Sequence, residues 1–163
     1  MNPLRARASL FASLFAALAL SAATAACGPS VTLQTPSGFA VLEDQKEYVY
    51  RATSAEGVVL GVRAERNQPH GNLEFWSEAL DRQLRHGGYV TEGALKEVHL
   101  ASGLTGRELR YTRVENGRKQ RFWMTVFVTE KRVWVVEAGG DADRFKERTQ
   151  LAVQKAIASL GIG

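Results

Sequence analysis

The side chains that most often carry chemistry are sparse in this sequence and fall into no reactive spacing. Three histidines, His70, His86 and His99, show neither the H-E-x-x-H pattern nor any other metal-ligand rhythm. The single cysteine, Cys27, excludes an internal disulfide and a cysteine-based zinc site. A serine nucleophile needs a base within hydrogen-bond reach, and no G-x-S-x-G turn presents one. The pairs Gly87-Gly88 and Gly139-Gly140 belong to no nucleotide-binding pattern. Glu43, Asp44, Glu74 and Glu78 have the spacing of a solvated face. No catalytic, cofactor-binding or metal-binding residue is therefore expected, and the chain reads as a non-enzyme. A hydrolase-type enzyme with a carboxylate cleft is the rival, and it would need at least two converging acids or a His–acid pair.

One charged cluster stands out. Arg107, Arg110, Arg113, Arg118, Lys119 and Arg121 surround Asn116-Gly117, with only Glu108 and Glu115 as acids among them. Arg110, Arg113, Arg118, Lys119 and Arg121 form a candidate patch for an anionic partner: lipid headgroups, acidic glycans or a protein. The plainer alternative is that the arginines keep a long strand edge soluble and unpaired.

Cys27 follows an unusual leader. Residues 1–7 carry Arg5 and Arg7 and no acid, and residues 8–26 carry no charge. Leucine and phenylalanine crowd Leu10–Leu20, and small residues fill the stretch up to Ala26. Positive, then apolar, then small is the order of a secretory signal peptide. Leu10–Leu20 is short for a bilayer span, which takes about 20 apolar residues, so an uncleaved anchor is the weaker reading. Ala23-Thr24-Ala25 fits an ordinary A-x-A cleavage site, which would release a soluble protein starting at Ala26. Thr24-Ala25-Ala26-Cys27 resembles the bacterial lipoprotein box, whose last cysteine receives diacylglycerol, with Thr24 standing where that box favours leucine. The only thiol sits at this junction, ahead of a Gly28-Pro29-Ser30 stalk. Cys27 is thus the expected lipid attachment site. Residues 1–26 would be a lipoprotein signal peptide, 27–37 a tether and 38–163 a single domain. Stable anchoring takes more than one acyl chain, which a lipoprotein carries. The expected location is the bacterial cell envelope, facing the periplasm or surface, with the membrane and an envelope protein as partners.

The composition agrees with a folded domain: 45% hydrophobic and 23% charged. Net charge is +4, and loss of Arg5 and Arg7 from 21 basic against 17 acidic residues leaves an excess of about two. Such a mild excess, together with export, excludes nucleic acid as a natural partner. No small-molecule cofactor is implied.

The elements that would position these residues alternate in type. Glu47–Ala52 and Val58–Glu65 alternate as strands about a Ser54–Gly57 turn. Asn72 can cap a helix in which Leu73, Trp76, Leu80 and Leu84 recur at helical spacing before Gly87-Gly88 stops it. Leu95–Ala101 and Arg107–Arg113 are strands; Asn116-Gly117 is a two-residue hairpin signal. Gln120–Thr129 follows, then a turn at Glu130-Lys131, then Arg132–Ala138. A second helix is expected over Asp141–Leu160, entered through a bend at Gly139-Gly140 and capped by Asp141 or Asp143. Phe122, Met124, Val126 and Val128 are apolar on one face of their strand, yet Trp123 and Phe127 occupy the other. A half-solvated sheet would be polar at every second position, so both faces need cover. The expected class is α+β: an antiparallel β-sheet with helices on both faces, an α/β/α sandwich.

This order of elements resembles the PsbP-like superfamily, including DcrB-like bacterial lipoproteins. The likeness is carried by Pro36-Ser-Gly-Phe39 and by a helix with Phe75-Trp76 that ends at Gly87-Gly88-Tyr89. It continues through Gly103-Leu-Thr-Gly106-Arg-Glu-Leu109 to a closing helix with Ile157-Ala-Ser-Leu160, covering Pro36 to Ile162. The resemblance implies a PsbP-like sandwich and a binding or accessory role, as in photosystem II assembly, small-GTPase binding or the envelope. It transfers no binding residues. The reading is a small envelope lipoprotein acting as a non-catalytic binding or assembly-accessory module. A soluble secreted or periplasmic ligand-binding domain is the alternative.

Overall fold

Asn116 and Gly117 both take left-handed backbone angles (φ 51° and 73°), the conformation a two-residue hairpin turn requires. They join the two longest strands, β7 (Thr105–Glu115) and β8 (Arg118–Val128), paired from Glu115↔Arg118 to Gly106↔Phe127. Thr129 closes the next turn by accepting the Arg132 N–H on Oγ1 at 3.1 Å. That turn brings β9 (Arg132–Asp141) back along β8. The computed structural model describes residues 28–163.

The earlier elements are β1 (Val31–Thr32), β2 (Phe39–Val41), β3 (Tyr50–Ser54), β4 (Val59–Arg66), α1 (Leu73–His86), β5 (Val90–Thr91) and β6 (Lys96–His99). After β9 come α2 (Glu147–Ala158) and β10 (Gly161–Ile162). The main sheet runs β2-β3-β4-β9-β8-β7-β5, with β6 also on β7, and every pairing is antiparallel. A separate ribbon pairs β1 with β10, so Val31–Thr32, inside the expected tether, lies along the far end of the chain. An antiparallel sheet with two helices is what the structure has, as the sequence pattern required.

The apolar pattern of β8 divides between two clusters. Trp123 and Phe127 join Leu60, Val62, Trp134 and Val136 in a core that includes Val153, Ala156 and Ile157 of α2. Met124 and Val126 join Leu109, Tyr111, Val133 and Val135, with Leu73, Trp76, Leu80 and Leu84 of α1 packed against them. Asn72 caps α1 as expected, its Oδ1 accepting the Phe75 N–H at 2.8 Å.

The second helix departs from expectation. It begins at Glu147, behind Lys146, which makes no side-chain cap. Asp141 closes β9 instead, and its Oδ1 accepts the Asp143 N–H at 2.9 Å. Residues 141–145 form a turn that drives Phe145, fully buried, against Trp123 with ring centroids 4.8 Å apart. Gly139 and Gly140 lie within the strand and make no bend. A Cβ on Gly140 would stand 3.2 Å from Gly57 O and Val58 Cα, so close backbone approach explains the glycine.

Candidate functional site

The hairpin residues do not form one surface. Successive side chains of a strand point to opposite faces, and opposed residues share a face. The register Arg110↔Trp123, Thr112↔Arg121 and Val114↔Lys119 therefore groups Arg110, Lys119 and Arg121. Arg113↔Gln120 and Glu115↔Arg118 put Arg113 and Arg118 on the other face. Because Asp141 at the end of β9 lies opposite Gln120, only the tip from Val114 to Lys119 runs past the neighbouring strand.

On the first face the charges are held. The Arg110 guanidinium lies 3.8 Å over the ring of Trp123, and its Nε donates to Glu108 Oε1 at 2.7 Å. Nη2 stands at 2.7 Å from the same oxygen as an ion pair but lacks hydrogen-bond geometry. The Glu108 side chain is 4% exposed and that of Arg110 17%, so the pair is largely, on the Glu108 side almost wholly, taken out of water. Arg121 donates from Nε to Glu92 Oε2 at 3.1 Å and from Nη1 to Phe145 O at 2.9 Å. Gln150 Nε2 donates to the same carbonyl at 2.8 Å, tying α2 to this corner. Lys119 Nζ stands 4.0 Å from Glu92 Oε1. Arg110, Arg121, Trp123, Glu92 and Gln150, with Lys96 at the rim, line a cleft of about 260 Å³. Its two guanidiniums pair with Glu108 and Glu92, Lys96 adds a cation with no ion pair among the described residues, and no nucleophile faces a base in it. It can hold a small polar group by hydrogen bonds, and it braces the turn into α2.

On the second face Arg113 lies 5.5 Å over Tyr89, with Glu115 Oε1 3.9 Å from Nη2. Arg118 makes no ion pair among the described residues. Near the hairpin tip, Arg118 is therefore unpaired among the described residues, and Arg113 and Lys119 have carboxylates only at 3.9 and 4.0 Å, so these three have charge to offer there. Cys27 lies outside the described residues. His70 sits in an exposed loop, His86 ends α1, and the exposed His99 has Nδ1 3.0 Å from Thr105 Oγ1. Among the described residues, no three His, Cys, Asp or Glu side chains are grouped to hold a metal ion.

Two tyrosines are perturbed for structural reasons. Burial raises the Tyr111 pKa, and its hydroxyl donates to Asp81 of α1 at 2.8 Å, which raises it further. Burial also raises Tyr48, as does Glu137, which accepts its hydroxyl at 3.0 Å and also pairs with Arg63.

The sequence reading missed Glu92, Lys96, Trp123 and Gln150 as lining residues. One signal was present: Glu108 and Arg110 are two apart on a strand and so share a face. The others come from separate elements and carry no local mark.

No family model matches the chain, and no curated protein matches it. Solved structures do. LpqN, described as involved in cell envelope biogenesis of Mycobacterium tuberculosis, superposes with a TM-score of 0.65 at 13% identity. The match covers 83% of this chain and 84% of LpqN. A Bacteroides thetaiotaomicron structure superposes with a TM-score of 0.51 at 12% identity over 82% of this chain and 45% of its own. Cyanobacterial PsbP (CyanoP) from Synechocystis sp. PCC 6803 aligns over 90% of this chain and 99% of its own, with a TM-score of 0.50 at 11% identity. The fold is PsbP-like. At such identities a PsbP-like likeness speaks for architecture alone, so the residues that act on this scaffold must be argued from their own contacts.

Proposed function

We propose that the chain is a small lipoprotein of the bacterial cell envelope, exported, acylated on Cys27, and acting as a non-catalytic binding or assembly-accessory module. Each face of the sheet carries one helix, an α/β/α sandwich of the kind expected for DcrB-like lipoproteins, and the tip of the β7–β8 hairpin meets an anionic partner. The observation that carries this reading is the fold held in common with LpqN, a protein described as serving envelope biogenesis. The leader, positive at Arg5 and Arg7 and then uncharged up to the sole cysteine, supports the address. Among the described residues no helix is long and apolar enough to cross a membrane; on this proposal the acyl chains on Cys27 make the membrane contact.

Growth with labelled palmitate tests the anchor: the wild type incorporates label, Cys27→Ala abolishes it, and globomycin leaves a labelled precursor that is not cleaved. Unlabelled wild type refutes lipidation. A mature start at Ala26 with a free thiol would favour the soluble secreted domain, a second reading supported by Ala23-Thr24-Ala25. Arg113→Ser, Arg118→Ser and Lys119→Ser together are expected to weaken salt-sensitive recovery of the envelope partner after crosslinking; unchanged recovery returns the tip to a role in solubility.

A further inference from the structure

The opposite end of the sheet carries a second set of cations that the hairpin does not explain. Arg66 and Arg132 stand directly opposite each other in the β4–β9 ladder. Like charges in that relation destabilise a sheet. Lys131, in the adjoining β8–β9 turn, is exposed, and Lys131, Arg132, Arg66 and His70 line one shallow depression. Glu130 also lines it, but no carboxylate among the described residues stands at ion-pair distance from Arg66, Lys131 or Arg132.

These cations are held together. Asn67, 5% exposed, donates from Nδ2 to Thr129 O at 3.0 Å and to Gly71 O at 3.1 Å. Its Oδ1 accepts the Gly71 N–H at 2.9 Å and Trp76 Nε1 at 2.7 Å. One side chain thus fixes the loop after Arg66 to the turn before Arg132 and to the start of α1.

The start of the described chain lies at this end. Ser30 N donates to Gly163 O at 3.3 Å, and Gly163 N to Ser30 O at 3.1 Å. Gly163 lines a depression with Lys131, Arg132 and Trp134. Only Gly28 and Pro29 separate Cys27 from Ser30, three Cα steps with a reach of about 10 Å when extended, of the same order as the Debye length of about 8 Å at physiological salt.

We infer that Arg66, Lys131 and Arg132 seat this end of the domain on anionic lipid headgroups beside the tether. The inference rests on the proposed attachment at Cys27. Anchoring there would hold this end of the domain, where Gly163 lines one depression with Lys131 and Arg132, close to the bilayer surface, where headgroup charge offsets the mutual repulsion of the cations. The two basic ends then divide the work: the β4–β9 end faces lipid, and the hairpin tip faces outward.

The full chain, processed by a bacterial host, is placed on phosphatidylcholine vesicles with or without about 30% phosphatidylglycerol, and backbone hydrogen exchange is followed. Exchange is expected to slow at residues 66–70 and 129–132 on anionic vesicles only, and to recover in about 0.5 M salt. Arg66→Ser with Lys131→Ser should abolish that protection while the urea midpoint holds. Equal protection on neutral vesicles, or protection confined to residues 113–119, overturns the inference. The mass of the amino-terminal peptide separates the two proposals. If Cys27 is unmodified the tether fails, yet sedimentation with anionic but not neutral vesicles, weakened about fivefold per removed cation, would still support the seat. An unmodified chain that sediments with neither refutes it.

Discussion

Replacing Asn67 with alanine should cost far more than a loop substitution normally does. The amide makes four well-formed hydrogen bonds, at 2.7, 2.9, 3.0 and 3.1 Å, to Trp76, Gly71 N, Thr129 O and Gly71 O. Each contributes about 1 kcal/mol net, and a buried donor left unpaired costs about 1–3 kcal/mol. Trp76 and Gly71 are only partly buried, so water can recover some of that loss. The expected destabilisation is about 3 kcal/mol in urea unfolding followed by tryptophan fluorescence and circular dichroism. Trp76→Phe removes a single donor, and in a double-mutant cycle with Asn67→Ala it should show a coupling of about 1 kcal/mol. Hydrogen exchange in the alanine variant should quicken at residues 66–71 and 129–132 before it does in β7–β8. A loss under about 1 kcal/mol, or a coupling near zero, would refute the view that this side chain organises the basic end.

Two further outcomes follow from the same contacts. Glu108→Gln should cost about 3 kcal/mol, because it strands the Arg110 guanidinium against Trp123, whereas Glu108→Gln with Arg110→Met should cost less than that single change; simple additivity in urea titrations would count against a desolvated pair. The Tyr111 hydroxyl has its pKa raised above the ordinary value of about 10 by burial and by Asp81. Its contribution is therefore complete below about pH 10 and is lost as pH climbs toward the folded value, so alkaline unfolding curves should flatten in Tyr111→Phe; an unchanged slope would mean the hydroxyl is not shielded.

Much of the architecture was legible because its causes are local. Asn72 capped its helix because a short acceptor lies next to an unpaired N–H. Asn116-Gly117 made its hairpin because those residues tolerate left-handed angles. The alternating patterns of the strands and the two helical periods announced an antiparallel sheet with two helices. The start of α2 misled, since acids and glycines before a helix look alike whether they cap it or close a strand. The pairing of Gly140 and Asp141 with Arg121 and Gln120, and the close approach of Val58 to Gly140, distinguish the two. The basic cluster looked like one patch because proximity in sequence ignores the pleat.

By itself the sequence determined the position of the sole thiol, the turns and the strand and helix periods, all of which depend on neighbours a few residues apart. Tertiary structure alone decided that β4 runs beside β9, which sets Arg66 opposite Arg132. It also decided that Glu108 holds Arg110 at 2.7 Å and Glu92 holds Arg121 at 3.1 Å, while the carboxylates beside Arg113 and Lys119 stand at 3.9 and 4.0 Å and Arg118 makes no ion pair among the described residues. The reason is physical: strand register between distant segments is chosen by the burial of whole faces, and which charges end up paired follows from that register.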